Sequence, residues 1–120
     1  MEDYKLGAVE SRFADIIWSH EPLPSRELVT LCQQQLNWKK PTTYTVLRKL
    51  CERGIFKNEN GLVSSVLSRQ EFYSLQSEKF VEESFNGSLP AFLAAFTARK
   101  NLTAEEAAAI RQMIAAFGED

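Results

Sequence analysis

Apolar residues early in the chain fall in the rhythm of a one-sided helix. Val9, Phe13, Ile16 and Ile17 stand at i, i+4, i+7 and i+8 between Gly7 and His20. The stretch "EPLPS" interrupts that rhythm, because Pro22 and Pro24 cannot continue a helix interior. A second helix opens near Pro24 or Ser25, with Leu28, Leu31, Cys32 and Leu36 as its apolar stripe. Asn37 and Trp38 mark the next turn. Pro41 suits the first position of a third helix, where its missing N–H costs nothing, and Gly54 suits the cap that ends it. Helical spacing puts Thr43, Leu47, Leu50 and Cys51 on the inner face of this helix, about 41–53, and Thr42, Thr45, Arg48, Lys49 and Glu52 on the outer one.

The period then changes. "IFK" and "LVSSVL" are short β-prone runs on either side of "NENG", whose Asn60 and Gly61 are a tight-turn signal for a hairpin. Three helices followed by a hairpin is the element order of a winged helix-turn-helix. Beyond it the pattern is helical again. Ser68 to Glu71 and Thr103 to Glu106 have the spacing of capping boxes. Leu89, Phe92, Leu93 and Phe96 stand at i, i+3, i+4 and i+7 behind a capping Ser88, while Ala107, Ile110, Met113, Ile114 and Phe117 repeat the rhythm in the last helix. The segment 69–86 differs, placing Phe72, Tyr73, Phe80, Val81 and Phe85 on more than one face. The fold class expected is therefore mainly α with a small β-hairpin: residues 1–67 a winged helix-turn-helix DNA-binding domain, residues 68–120 a helical dimerisation region. Helices this rich in Phe and Ala, with no sheet to cover, expose apolar surface on a monomer. Either a second copy buries Phe80, Phe85, Leu89, Phe92, Leu93, Phe96, Ile110 and Ile114 across an isologous interface, or a mini-bundle packs on the first half. The dimer is the more economical answer.

Charge sharpens this picture. The chain of 120 residues has a formal net charge of -2 and a pI near 5.5, which excludes a generic nucleic-acid coat protein. Residues 1–57 nevertheless hold nine Lys and Arg against seven Asp and Glu (+2), and residues 58–120 hold five against nine (-4). Within 38–57 the cations Lys39, Lys40, Arg48, Lys49, Arg53 and Lys57 face a single acid, Glu52. That local excess fits a focused contact with double-stranded DNA, and equally a solvated helix face.

Other chemistry is sparse. With 44% hydrophobic and 25% charged residues, the chain can fold as one domain, or one domain with an extension. No run approaches the roughly 18 apolar residues of a membrane span, and the acidic, polar start "MEDYKLG" does not resemble a signal peptide, so a cytoplasmic location is expected. Cys32 and Cys51 form no C-x-x-C pair and read as buried thiols; one histidine, His20, cannot build a catalytic metal site. No Gly-rich phosphate loop or nucleophile motif is present, so no enzyme activity, cofactor or metal is expected.

At Trp38, Thr42, Thr45, Leu47, Arg48, Lys49 and Leu50, closing on "ERG", the chain resembles the penicillinase-repressor family of bacterial transcription regulators. A second motif resembles it too: Gly87, Ser88 and Leu89, then Ala94, Ala95 and Phe96, then Leu102 and Thr103. The resemblance runs from about Leu6 to Phe117. It implies a homodimeric repressor whose winged helix-turn-helix reads a palindromic operator and whose C-terminal helices interlock. Carried over by position, Thr42, Thr45, Arg48 and Lys49 face DNA, with Lys39 and Lys40 at the phosphate-favouring helix N-terminus. Arg48 can hold guanine bidentately in the major groove; Thr and Lys serve phosphates or a thymine methyl. Tyr44 either contacts a phosphate or packs.

The chain also departs from the family pattern. Lys39 replaces a polar cap, Pro41 a basic residue and Pro24 the Thr that caps the second helix. The wing "NENGLVSS" is short and lacks the usual basic and aromatic residues, which places the weight of affinity on the third helix. The clustered C-terminal cysteines of the copper-sensing branch are missing. In the antibiotic-responsive branch a membrane-sensor protease cuts the repressor at the helix aligned with "LAAFTAR", which puts a similar bond near Ala95 and Phe96; the plainer reading makes both residues dimer core. The alternative function, motivated by the neutral wing and acidic second half, is a winged-helix protein–protein interaction module without DNA binding.

Overall fold

The computed structural model describes residues 4–117; residues 1–3, which open the acidic start, and residues 118–120 lie outside them. The order is α1 (Ala8–His20), β1 (Leu23–Pro24), α2 (Ser25–Leu36), α3 (Lys40–Glu52), β2 (Phe56–Glu59), β3 (Leu62–Ser65), α4 (Arg69–Phe85), α5 (Leu89–Arg99) and α6 (Ala104–Phe117). The chain divides into two compact units, one ending at Glu78 and the other beginning at Lys79, and α4 contributes to both.

In the first unit α1, α2 and α3 bury Phe13, Ile16, Ile17, Leu28, Cys32, Leu47 and Leu50 in one core with Ile55, Phe56 and Val63. Val9 departs from its expected place and is 49% exposed. It belongs to the first turn of α1, before the packed layer begins at Phe13. Asn37 ends α2 in the left-handed conformation (φ 57°), and Trp38 then stacks on Phe13 with ring centroids 5.4 Å apart. The third helix begins one residue earlier than its proline suggests, leaving Pro41 in the first turn rather than at its first position.

The expected hairpin forms, with Asn60 (φ 55°) and Gly61 (φ 85°) at its turn, the backbone a type I′ turn needs. The sheet has three strands in the order β1-β3-β2, with Phe56 opposite Ser65 and Glu59 opposite Leu62. The added strand is the proline-flanked link itself, Leu23 pairing with Val63 and Pro24 with Leu62. A proline is tolerated there because β1 is an edge strand. Glu21 secures the same link, accepting from the Ser65 backbone N–H at 2.7 Å and the Ser65 hydroxyl at 3.0 Å.

Trp18 closes the core on the flank of α1. Its indole N–H donates to the Leu67 carbonyl at 3.0 Å, and its ring meets Phe56, Phe72 and Tyr73 within 5.9 Å. Arg69 lies over the same indole at 5.7 Å while its Nε donates to Asp15 at 3.1 Å. The Ser68–Glu71 capping box starts α4, with reciprocal bonds of 2.9 and 3.0 Å; the Thr103–Glu106 box starts α6 with the same lengths. Ser88 caps α5 by accepting from the Ala91 N–H at 3.1 Å.

The several-faced pattern of segment 69–86 now has a cause. Phe72, near the start of α4, is fully buried in the first unit. Phe80 and Phe85, near its end, make edge contacts with Phe92 of α5 at 6.1 and 5.6 Å. One helix serves two cores. The second unit has no fully buried side chain on α5 or α6, and Phe80, Leu89, Phe96, Met113, Ile114 and Phe117 are 46% to 82% exposed. Together the elements form a winged helix-turn-helix followed by C-terminal helices.

Candidate nucleic-acid interface

The exposed face of α3 gathers most of the residues that the sequence singles out. Thr43, Leu47 and Leu50 turn inward, 0 to 2% exposed, so the 100° step of the helix turns Thr42, Thr45, Arg48 and Lys49 to solvent together. Glu52 shares that exposure, and Cys51 is half-buried at the edge. Thr43 anchors the start of the helix, its backbone N–H donating to the Lys39 carbonyl at 3.1 Å and its hydroxyl to the same oxygen at 3.4 Å.

Lys39 is the N-cap residue, in extended conformation and without a side-chain cap bond. The first-turn N–H groups of Lys40 and Thr42 therefore have no capping side chain, and the positive end of the helix dipole coincides with two ammonium groups. Such an end favours an anion. Among the described residues Lys39, Lys40, Arg48 and Lys49 enter no ion pair, so their charge is uncommitted.

Two cations of the basic stretch are committed elsewhere. Arg53 turns back toward α1, Nη1 lying 3.9 Å from Glu10 and Nη2 donating to the Lys5 carbonyl. On helical spacing Arg53 lies beside Val46, on the flank of the buried stripe, and that position was the available signal. Lys57, on the wing, has the Glu59 carboxylate 3.7 Å away. Exposed Asn58, Asn60 and Gly61 complete the turn, so the wing tip offers polar groups but no net positive charge.

Tyr44 is half-buried, as are Val46 and Cys51 of the same helix. Its hydroxyl and that of Ser25, the first residue of α2, share a hydrogen bond of 2.9 Å. A shallow groove lined by Tyr44, Leu47, Arg48, Cys51 and Asn58 runs between α3 and β2. Nothing in this setting activates a thiol. Burial pushes Cys32 up to about 11, offset only in part by a hydrogen bond with Thr43; burial and the neighbouring Glu52 carboxylate raise Cys51 as well. Among the described residues no group of His, Cys, Asp and Glu could hold a metal ion, and no helix is long and apolar enough to cross a membrane.

Comparison with known proteins agrees with this architecture. Residues 6–116 match the sequence profile of the family described as penicillinase repressor. The penicillinase repressor of Bacillus licheniformis is 20% identical over 114 residues, which span 92% of this chain and 89% of the relative. The match covers the winged helix-turn-helix and the C-terminal helices alike, and the chain belongs to the penicillinase-repressor family, a family of transcriptional repressors.

Proposed function

We propose that this chain is a sequence-specific DNA-binding repressor that acts as a homodimer on a palindromic operator, with α3 in the major groove. The observation that carries the reading is the outer face of α3, where four uncommitted cations and two threonines stand together in a chain of net charge -2. Lys39, Lys40 and Lys49 neutralise phosphate; Arg48 has the fork geometry for guanine O6 and N7, and Thr42 and Thr45 are short enough to reach a phosphate or a thymine methyl beside it.

The C-terminal helices supply the second half of the reading. Exposed Phe80, Leu89, Phe96 and Ile114, with half-buried Phe85, Phe92, Leu93 and Ile110 beside them, make an apolar surface larger than a monomer ordinarily keeps in water. A second copy covers it, and Ala95 and Phe96 then belong to the dimer core rather than to a cleavage site. Two-fold symmetry presents two α3 helices to two half-sites, which is why the operator must be an inverted repeat. In this division of labour residues 1–67 bind DNA and residues 68–120 dimerise.

A winged-helix interaction module without DNA binding remains as the second reading because of one feature, the Lys57–Glu59 pair that neutralises the wing. Sedimentation of the full chain, alone and with a labelled duplex, separates the two. The repressor sediments as a dimer and carries two protomers per duplex. A chain that stays monomeric, or that leaves every duplex unbound at low salt, overturns the proposal.

A further inference from the structure

Ser25 touches three parts of the candidate DNA face at once. Its backbone N–H donates to the carbonyl of Gly61 in the wing turn at 2.7 Å, and its hydroxyl shares the 2.9 Å bond with Tyr44 of α3. It also opens α2 directly after Pro24, which pairs with Leu62 in the sheet. Pro24 is the N-cap residue of α2 and offers no side-chain cap. The wing turn therefore takes one of the donors at that helix end, the first-position N–H that has no partner within the helix.

Tyr44 lies among exposed, DNA-facing residues, yet its hydroxyl points back to Ser25 and its ring packs against the core. Its neighbours along the helix, Thr45 and Arg48, face solvent. A rotation or slide of α3 that moves Arg48 must therefore stretch or break the Tyr44–Ser25 bond. Both hydroxyls are partly sheltered from water, so that bond is not freely exchanged for solvent.

We propose that Ser25 and Tyr44 form a positioning pair that couples the wing turn to α3 and so holds Arg48 and the two threonines in the orientation that reads bases. The inference rests on the operator reading and deepens it: neither residue touches DNA, and both set sequence preference. The pair makes no phosphate contact, so its loss leaves the salt dependence and the affinity for unrelated DNA unchanged.

The test compares the full chain with Tyr44→Phe, Ser25→Ala, the double substitution and Ser25→Thr. Affinity is measured for the preferred duplex and for a scrambled one, and exchange is followed at the Ser25 amide in the free protein. Each single loss lowers affinity for the preferred duplex about two- to tenfold, as expected for one hydrogen bond. The double variant loses no more than either single one, scrambled DNA binds as before, and Ser25→Thr restores the preference. In the free protein Tyr44→Phe speeds exchange of the Ser25 amide. If the two losses multiply, or if Tyr44→Phe weakens binding while Ser25→Ala does not, Tyr44 contacts DNA directly and the proposal is overturned. A chain with no sequence preference removes the operator reading, and the amide exchange then decides by itself whether the pair couples wing and helix: unchanged exchange in Tyr44→Phe refutes it.

Discussion

Replacing Lys40 by alanine isolates the electrostatic part of the account, and the structure fixes how large the effect should be. Of the six cations between residues 38 and 57, Arg53 is turned to Glu10 at 3.9 Å and Lys57 stands 3.7 Å from Glu59. The exposed Lys57–Glu59 pair adds little stability, but the carboxylate cancels the local charge of Lys57 whether or not the contact is kept. Arg48 is assigned to a base, so Lys39, Lys40 and Lys49 remain for phosphate, three per protomer and about six in the proposed dimer on DNA. Counterion release then gives the logarithm of affinity a slope of about -5 against the logarithm of salt, and Lys40→Ala flattens it by about 2 because each protomer gives up one contact. Between 50 and 200 mM salt the parent loses about 10³ in affinity and the variant about 10². Fluorescence anisotropy with a labelled duplex across that range reads both slopes, and Lys57→Ala is the control, with a slope close to the parent's. A Lys57→Ala slope as shallow as that of Lys40→Ala, or no change in Lys40→Ala, refutes the reasoning.

Three other perturbations test separate parts of the description. Arg48→Ala should relax preference at one base position in each half-site at a cost of about 1–3 kcal/mol, read from binding to single-base operator variants; an unchanged preference removes Arg48 from base readout. Phe72→Ala empties a site that is 0% exposed and in ring contact with Tyr4, Trp18 and Tyr73. It should destabilise the first unit by about 3–5 kcal/mol in denaturant titration, and a loss under 1 kcal/mol contradicts the packing. Cys32, pushed up to about 11, should resist alkylation at neutral pH in the folded chain. Because its folded value lies above the unfolded one near 9, its contribution to stability is complete below about pH 9 and is lost as pH rises toward 11; alkylation of Cys32 at pH 7 as fast as in the unfolded chain contradicts the burial.

Where a long element faces one partner, its sequence pattern is legible. The inner stripe of α3 and the outer set Thr42, Thr45, Arg48 and Lys49 follow directly from helical spacing, and so do the hairpin turn at Asn60 and Gly61 and the caps at Ser68, Ser88 and Thr103. What escapes the pattern depends on contacts distant in sequence. Strand β1 is two residues long, too short for any period, and exists because β3 pairs with it. Trp18 lies off the stripe of Phe13, Ile16 and Ile17, and is buried because Leu67, Phe56 and Phe72 cover a second flank of α1. Arg53 counts toward the basic cluster by sequence, and its partners Glu10 and the Lys5 carbonyl lie far from it in the chain, Lys5 by 48 residues. Tyr44 is undecided between phosphate and packing until the Ser25 hydroxyl is found beside it.

The most direct test of the central claim is enrichment of bound DNA from a random-sequence pool by the purified full-length chain at near-physiological salt. The account predicts an inverted repeat with a preferred base at the Arg48 position of each half-site. Recovery of no enriched sequence by a chain that is folded and dimeric contradicts it, and leaves the outer face of α3 as a surface for another protein.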